Sequence, residues 1–179
     1  IRLKYALTNS KNLVSLRLYD SLGSDTVLPY VANFGFNIQD FPSNDLTVAI
    51  GSHAVNPIEI ASGYTVFANG GYKIEPFFID RIENFNDGEV FQAQPSTVCE
   101  TCTISPEVSD IGESSLIADD TPAELGNINS APRVIDERVA YIMNTILRSV
   151  ITDGSGRQVS RDINRQDLAG KTGTTNEQF

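Results

Sequence analysis

Apolar positions recur along the chain in several short stretches with different spacings. Val14, Leu18 and Leu22 follow one another at steps of four, with Tyr19 beside them, and Gly23 closes the run as a C-terminal helix glycine does. The spacing predicts a helix over 13–22. Ser24 or Asp25 is placed to cap a second short helix through Val31, ending before Gly35. Asn56-Pro57 is a helix start, with Asn at the cap and Pro at the first helical position. Ile60, Tyr64, Phe67 and Ala68 then keep helical spacing until Asn69-Gly70-Gly71 stops it.

Further on, the period changes. Phe77, Phe78, Ile79 and Ile82 form a β-rich run, Asn86-Asp87-Gly88 is a hairpin turn signal, and Val90 and Phe91 lie on the return strand. The clearest helix spans 135–150, where Ile135, Val139, Ile142, Met143, Ile146 and Val150 recur at steps of three and four. Gly154-Ser155-Gly156 reads as a flexible turn, and 166–175 as a strand. Helices, a hairpin, a helix and a strand in this order predict an α+β fold, an antiparallel sheet flanked by helices.

Composition narrows the function. The chain has 179 residues and a net charge of −10, which repels a phosphate backbone and argues against nucleic acid as a partner. Much of the acid lies in 95–130, which holds Glu100, Glu107, Asp110, Glu113, Asp119, Asp120 and Glu124 and no Lys or Arg. Residues 93–132 are rich in Ser, Thr, Pro and acid and poor in large apolar side chains, so they are expected to form an acidic surface insertion. Cys99 and Cys102 sit within it in loop-like surroundings. They are disulfide candidates, with free thiols and a metal or redox pair as alternatives. A zinc site needs about four ligands, and His53 is the sole histidine, so no metal site is expected. His53 has no G-x-S-x-G partner motif and is expected to be structural.

Two short motifs carry chemistry. Ser10-Lys11-Asn12 precedes a predicted helix, and Lys171-Thr172-Gly173-Thr174 lies on a predicted strand. Acyl transfer to a serine needs a proton relay, positive potential and oxyanion donors. Ser10 can pass a proton, Asn12 can orient an amide, and Lys171 supplies charge without a metal. On a strand Thr172 and Thr174 face the same way, so two hydroxyls beside an ammonium form a carboxylate clamp. Gly173 between them leaves room for a close approach. Taken singly, the first motif reads more readily as a helix cap and the second as a strand end. Gly170-Lys171-Thr172 also looks like the end of a P-loop, but the glycine needed five residues earlier is Arg165.

S-x-N followed far downstream by K-T-G-T resembles the second and third signatures of the serine penicillin-recognising enzymes. Residues 57–71, 138–143 and 167–176 are similar to class A, bifunctional penicillin-binding proteins of the 1a type. The resemblance covers most of 1–179, apart from 93–132. It implies the C-terminal-side part of a peptidoglycan D,D-transpeptidase domain that forms a serine acyl-enzyme and is acylated by β-lactams. It further implies a glycosyltransferase domain and an inner-membrane anchor elsewhere, a domain facing the periplasm, D-Ala-D-Ala stem peptides as substrate, and no cofactor.

The resemblance implies Ser10 as relay, Asn12 as amide-orienting residue, and Lys171, Thr172 and Thr174 at the substrate carboxylate. The Thr174 N–H becomes an oxyanion donor. The family's S-x-x-K, which holds the nucleophile and its base, does not occur in this chain. The chain alone is therefore expected to be inert, and the remainder of the same protein, possibly as a second chain, to complete it. A β-lactamase, a D,D-carboxypeptidase and a non-catalytic β-lactam sensor use the same motifs and stay open at this point.

Overall fold

The computed structural model describes residues 1–39, 41–42, 44–86, 88–98, 129–165 and 167–174. They fall into two compact units, one of 1–76 with 132–179 and one of 77–131.

The first unit is helical among its described residues. Helices α1 (Leu3–Thr8), α2 (Asn12–Leu22) and α3 (Ser24–Ala32) are followed by a 3₁₀ turn at Leu46–Ile50, then α4 (Pro57–Ala68), α5 (Glu137–Thr152) and α6 (Arg157–Ile163). The predicted helices over 13–22 and 135–150 appear as α2 and α5, shifted by one or two residues. Gly23, at φ +79°, ends α2 and also starts α3, which has no side-chain cap. The expected Ser24 or Asp25 cap is therefore replaced by a glycine junction. Helix α4 starts as expected: the Asn56 side chain accepts from the Ile58 N–H at 3.1 Å. Glu59 reaches back to the Asn56 N–H at 2.9 Å, closing a capping box.

The core of this unit is built from Phe34, Val66, Ile135 and Ala140, with Phe36, Phe67 and Val134 against it. Helices α4 and α5 meet here, and Asn144 Nδ2 donates to the Phe67 carbonyl at 2.6 Å across the seam. Gly63 of α4 lets Phe36 pack closely against this helix, because a Cβ there would sit 3.0 Å from the Phe36 ring. The buried stripe of α5 is Ala140, Leu147, Val150 and Ile151. Val139 and Ile142, expected on the core face, are exposed. The apolar face of this helix is wider than the stripe its neighbours cover, and periodicity alone does not say which edge of it they reach.

Asp136 caps α5 and accepts from the backbone and guanidinium of Arg138, which hold its carboxyl down at about 2. A carboxylate with a lowered folded value stabilises above its unfolded range near 3.8 and loses that contribution as pH falls toward about 2. The expected outcome is that Asp136→Asn removes part of the acid sensitivity of folding in that window, read by circular dichroism against pH.

In the second unit β1 (Arg81–Asn84) pairs antiparallel with β2 (Gly88–Gln92), with a register shift between Ile82 and Glu83. Every described residue of both strands is exposed. The hairpin falls where the turn signal placed it, although Phe77, Phe78 and Ile79 lie before its first strand. Thr97 and Ser130 form an isolated parallel bridge. Most of the expected insertion, including Cys99 and Cys102, lies outside the described residues.

The arrangement is α+β, but the sheet among described residues is this hairpin alone. The strand expected over 166–175 is not formed: 167–174 belong to no helix or strand. An extended segment becomes a strand only when a neighbour accepts and donates along it. Here the Gly170 N–H reaches only the C-terminal half of α5, donating to the Leu147 carbonyl at 3.4 Å.

Candidate active site

Helix α1 ends in a reversed turn that sets up the first motif. Ser10 takes φ +50°, and the Lys11 N–H donates back to the Ala6 carbonyl at 2.9 Å. That is the C-terminal helix wrap in which glycine or asparagine ordinarily occupies the left-handed position. A serine there costs on the order of 1–2 kcal/mol of backbone strain. Asn12 then opens α2 one residue after Lys11.

The second motif comes from the other end of the sequence. Lys171 Nζ donates to Ser10 Oγ at 2.5 Å and to the Thr172 carbonyl at 2.9 Å. Burial pushes the Lys171 ammonium below its ordinary pKa. All six residues singled out from sequence, Ser10, Asn12, Lys171, Thr172, Gly173 and Thr174, line one cleft of about 400 Å³, with Ser15, Ala49 and Ile50 on its walls. The cleft can therefore present an ammonium, several hydroxyls and one amide to a single ligand.

The turn after α5 contributes a residue that the sequence reading passed over. Ser155 Oγ lies 2.6 Å from Thr172 Oγ1 and 3.3 Å from Ser10 Oγ. No periodicity or motif flags a turn serine, and its glycine neighbours point to a flexible turn, whereas the Ser155 N–H is tied to the Thr8 carbonyl at 3.1 Å. The 3₁₀ turn over Leu46–Ile50 was equally silent in sequence, yet it supplies Ala49 and Ile50 to the cleft wall. His53 lies elsewhere, edge-on to the Phe41 ring with centroids 4.6 Å apart. Among the described residues no group of three or more His, Cys, Asp or Glu could hold a metal ion.

The strained serine gives a separable prediction. Ser10→Gly relieves the left-handed strain and removes the hydroxyl. The expected outcome in the full-length protein is an unchanged or raised Tm together with a loss of β-lactam acylation, measured side by side on one preparation.

Comparison with known proteins places the chain in a family. The penicillin binding protein transpeptidase domain matches residues 1–178. Penicillin-binding protein 1A of Pseudomonas aeruginosa is 39% identical over 194 residues, covering 99% of this chain and 23% of that protein. The protein of the same name from Escherichia coli is 31% identical, covering 98% of this chain and 24% of that protein. The crystal structure of penicillin-binding protein 1A from Haemophilus influenzae superposes with a TM-score of 0.77 at 30% identity, over 98% of this chain and 27% of that one. The fold also matches the D,D-transpeptidase domain of a peptidoglycan glycosyltransferase from Eggerthella lenta, at TM-score 0.67 and 20% identity. The chain thus spans about a quarter of the length of its curated relatives. With the match running over nearly all of its length, the chain belongs to the penicillin-binding protein transpeptidase domain family.

Proposed function

We propose that this chain is part of a peptidoglycan D,D-transpeptidase, which cross-links stem peptides through a serine acyl-enzyme and is acylated by β-lactams. The observation that carries the reading is the contact between the two motifs. Lys171 and Ser10 are 161 residues apart in sequence, yet Nζ and Oγ meet at 2.5 Å on the wall of one cleft. A helix cap and a strand end chosen by chance would have no reason to converge.

In this reading the nucleophile and its base lysine belong to an S-x-x-K of the remaining protein, since none occurs here. The nucleophilic oxygen attacks the carbonyl of the penultimate D-alanine, and its proton passes to the base lysine. The terminal D-alanine leaves with a proton relayed through Ser10, and an amine of a neighbouring stem peptide then displaces the serine. Asn12 orients the stem-peptide amide. Lys171, Thr172 and Thr174 hold the terminal carboxylate, with a β-lactam carboxylate taking the same place. Gly173 leaves space for the approaching peptide, and the Thr174 N–H helps to stabilise the oxyanion.

The complete protein is proposed to polymerise glycan as well, anchored in the inner membrane with this domain facing the periplasm. Residues 93–132 are proposed as a surface insertion outside the catalytic core. The test is intact-mass spectrometry of the full-length protein after exposure to a penicillin. A single stable adduct on the S-x-x-K serine is expected. Rapid turnover of the drug would instead make the protein a hydrolase, and no adduct at all would remove the assignment.

A further inference from the structure

The turn between α5 and α6 carries a serine to which the transpeptidase reading gives no task. Ser155 Oγ touches Thr172 Oγ1 at 2.6 Å and Ser10 Oγ at 3.3 Å, while Ser10 Oγ accepts from Lys171 Nζ at 2.5 Å. One ammonium and three hydroxyls thus form a continuous chain through residues of both motifs.

A lysine ammonium only donates, whereas a hydroxyl donates once and accepts twice. The Lys171 bond therefore occupies a lone pair of Ser10 and leaves the direction of the Ser10 proton open. Ser155 closes that freedom in either sense. Donating to Ser10, it occupies the second lone pair and turns the Ser10 proton toward the cleft. Accepting from Ser10, it holds the proton on a defined path. In both cases it ties the Ser10 rotor to the Thr172 hydroxyl.

The position of Ser155 is itself fixed by backbone. Its N–H donates to the Thr8 carbonyl at 3.1 Å, and the Gly156 N–H donates to the Val150 carbonyl at 2.9 Å. Gly154 is required for space, and Gly156 is closely packed. A Cβ on Gly154 would fall 2.2 Å from the Thr8 carbonyl oxygen, and one on Gly156 would fall 2.8 Å from Ile151 Cδ1. A turn made only to reverse the chain has no need to seat its serine between two hydroxyls of a cleft.

We propose that Ser155 is a positioning residue of the acyl-transfer site, setting the hydroxyls of Ser10 and Thr172 for proton relay and carboxylate recognition. The inference rests on the transpeptidase reading of the cleft and extends it by one residue from outside both motifs.

The experiment measures acylation of the full-length protein by a fluorescent penicillin, separating reversible binding from the covalent step, with Tm recorded for each variant. Ser155→Ala is expected to slow the covalent step by about tenfold, the effect of losing one ordering hydrogen bond, with Tm unchanged. Ser155→Thr keeps the hydroxyl and is expected to recover most of the rate. The Ser10→Ala/Ser155→Ala pair is expected to lose less than the product of the single losses, because Ser155 acts largely through Ser10. Wild-type acylation in Ser155→Ala, with Ser10→Ala slow, overturns the Ser155 assignment and leaves the transpeptidase reading standing. Equal losses in the Ala and Thr variants with a lowered Tm overturn it in favour of a scaffold role. A fully multiplicative loss in the pair also overturns it. Wild-type acylation in Ser10→Ala removes the transpeptidase reading itself, and the Ser155 assignment with it.

Discussion

Lys171→Ala in the full-length protein is expected to lower the rate of acylation by a penicillin by roughly a hundred- to a thousandfold, the usual effect of removing one electrostatic element from an acyl-transfer site. The side chain has two tasks in this geometry. It holds Ser10 Oγ at 2.5 Å, and it places positive charge on the wall that Thr172 and Thr174 share. Alanine removes both at once. Lys171→Arg keeps charge but cannot reproduce a point contact from a slender ammonium, so partial recovery is expected.

The pH dependence follows from the same residue. Burial lowers the Lys171 pKa, so the ammonium is lost earlier on the alkaline side than an ordinary lysine's would be. Acylation is expected to fall as pH rises through that lowered value. In Lys171→Arg this alkaline limb should disappear, because arginine stays protonated throughout. Stopped-flow acylation across the pH range checks both expectations; a limb that persists in the arginine variant would assign it to another group.

The second large effect is structural. Gly154→Ala puts a methyl group 2.2 Å from the Thr8 carbonyl oxygen and 2.7 Å from Thr8 Cγ2. The neighbour is the backbone of α1, which cannot rotate away as a side-chain end would. The turn or the helix has to move, at a cost of roughly 2 kcal/mol or more, typical of forced overpacking. The same displacement carries Ser155 off Thr172 and opens the end of α1 that holds Ser10 in its left-handed conformation. Thermal unfolding and acylation are therefore expected to worsen together, with Tm lower by several degrees. A variant with wild-type Tm would show that α1 and the α5–α6 turn are less tightly joined than a 2.2 Å approach requires.

How much of this was legible in sequence depended on where each signal resides. Helix α4 was readable because Asn56, Pro57 and the 69–71 stop are local instructions, written in residues that touch one another. Helix α5 was readable in extent but only partly in orientation: Val150 is buried as expected, while the exposed Val139 and Ile142 are as apolar as the buried stripe. Helices α1 and α6 went unseen: they have six and seven residues and no side-chain cap, too little for periodicity to register. The strand expected around Lys171 failed for a different reason. Its residues favour extension, but a strand is made by its neighbours, and none pairs with it among the described residues.

The cleft was legible through its motifs, since Ser10, Asn12 and the 171–174 segment each carry recognisable chemistry. Ser155 was not, because its contacts to Ser10 and Thr172 span 145 and 17 residues and exist only after folding. The strain at Ser10 was hidden too. A positive φ at a serine leaves no mark in composition or spacing, and it appears only where α1 wraps back on itself. Both are properties of the folded site rather than of any segment.

The most direct measurement is a crystal structure of the full-length protein acylated by a penicillin. The expected result has the drug esterified to the serine of an S-x-x-K. Ser10 Oγ should lie within hydrogen-bond reach of the ring nitrogen released by attack, and the drug carboxylate should be held by Lys171, Thr172 and Thr174. An adduct on any other residue, or a carboxylate bound away from Lys171, would contradict the assignment of this cleft.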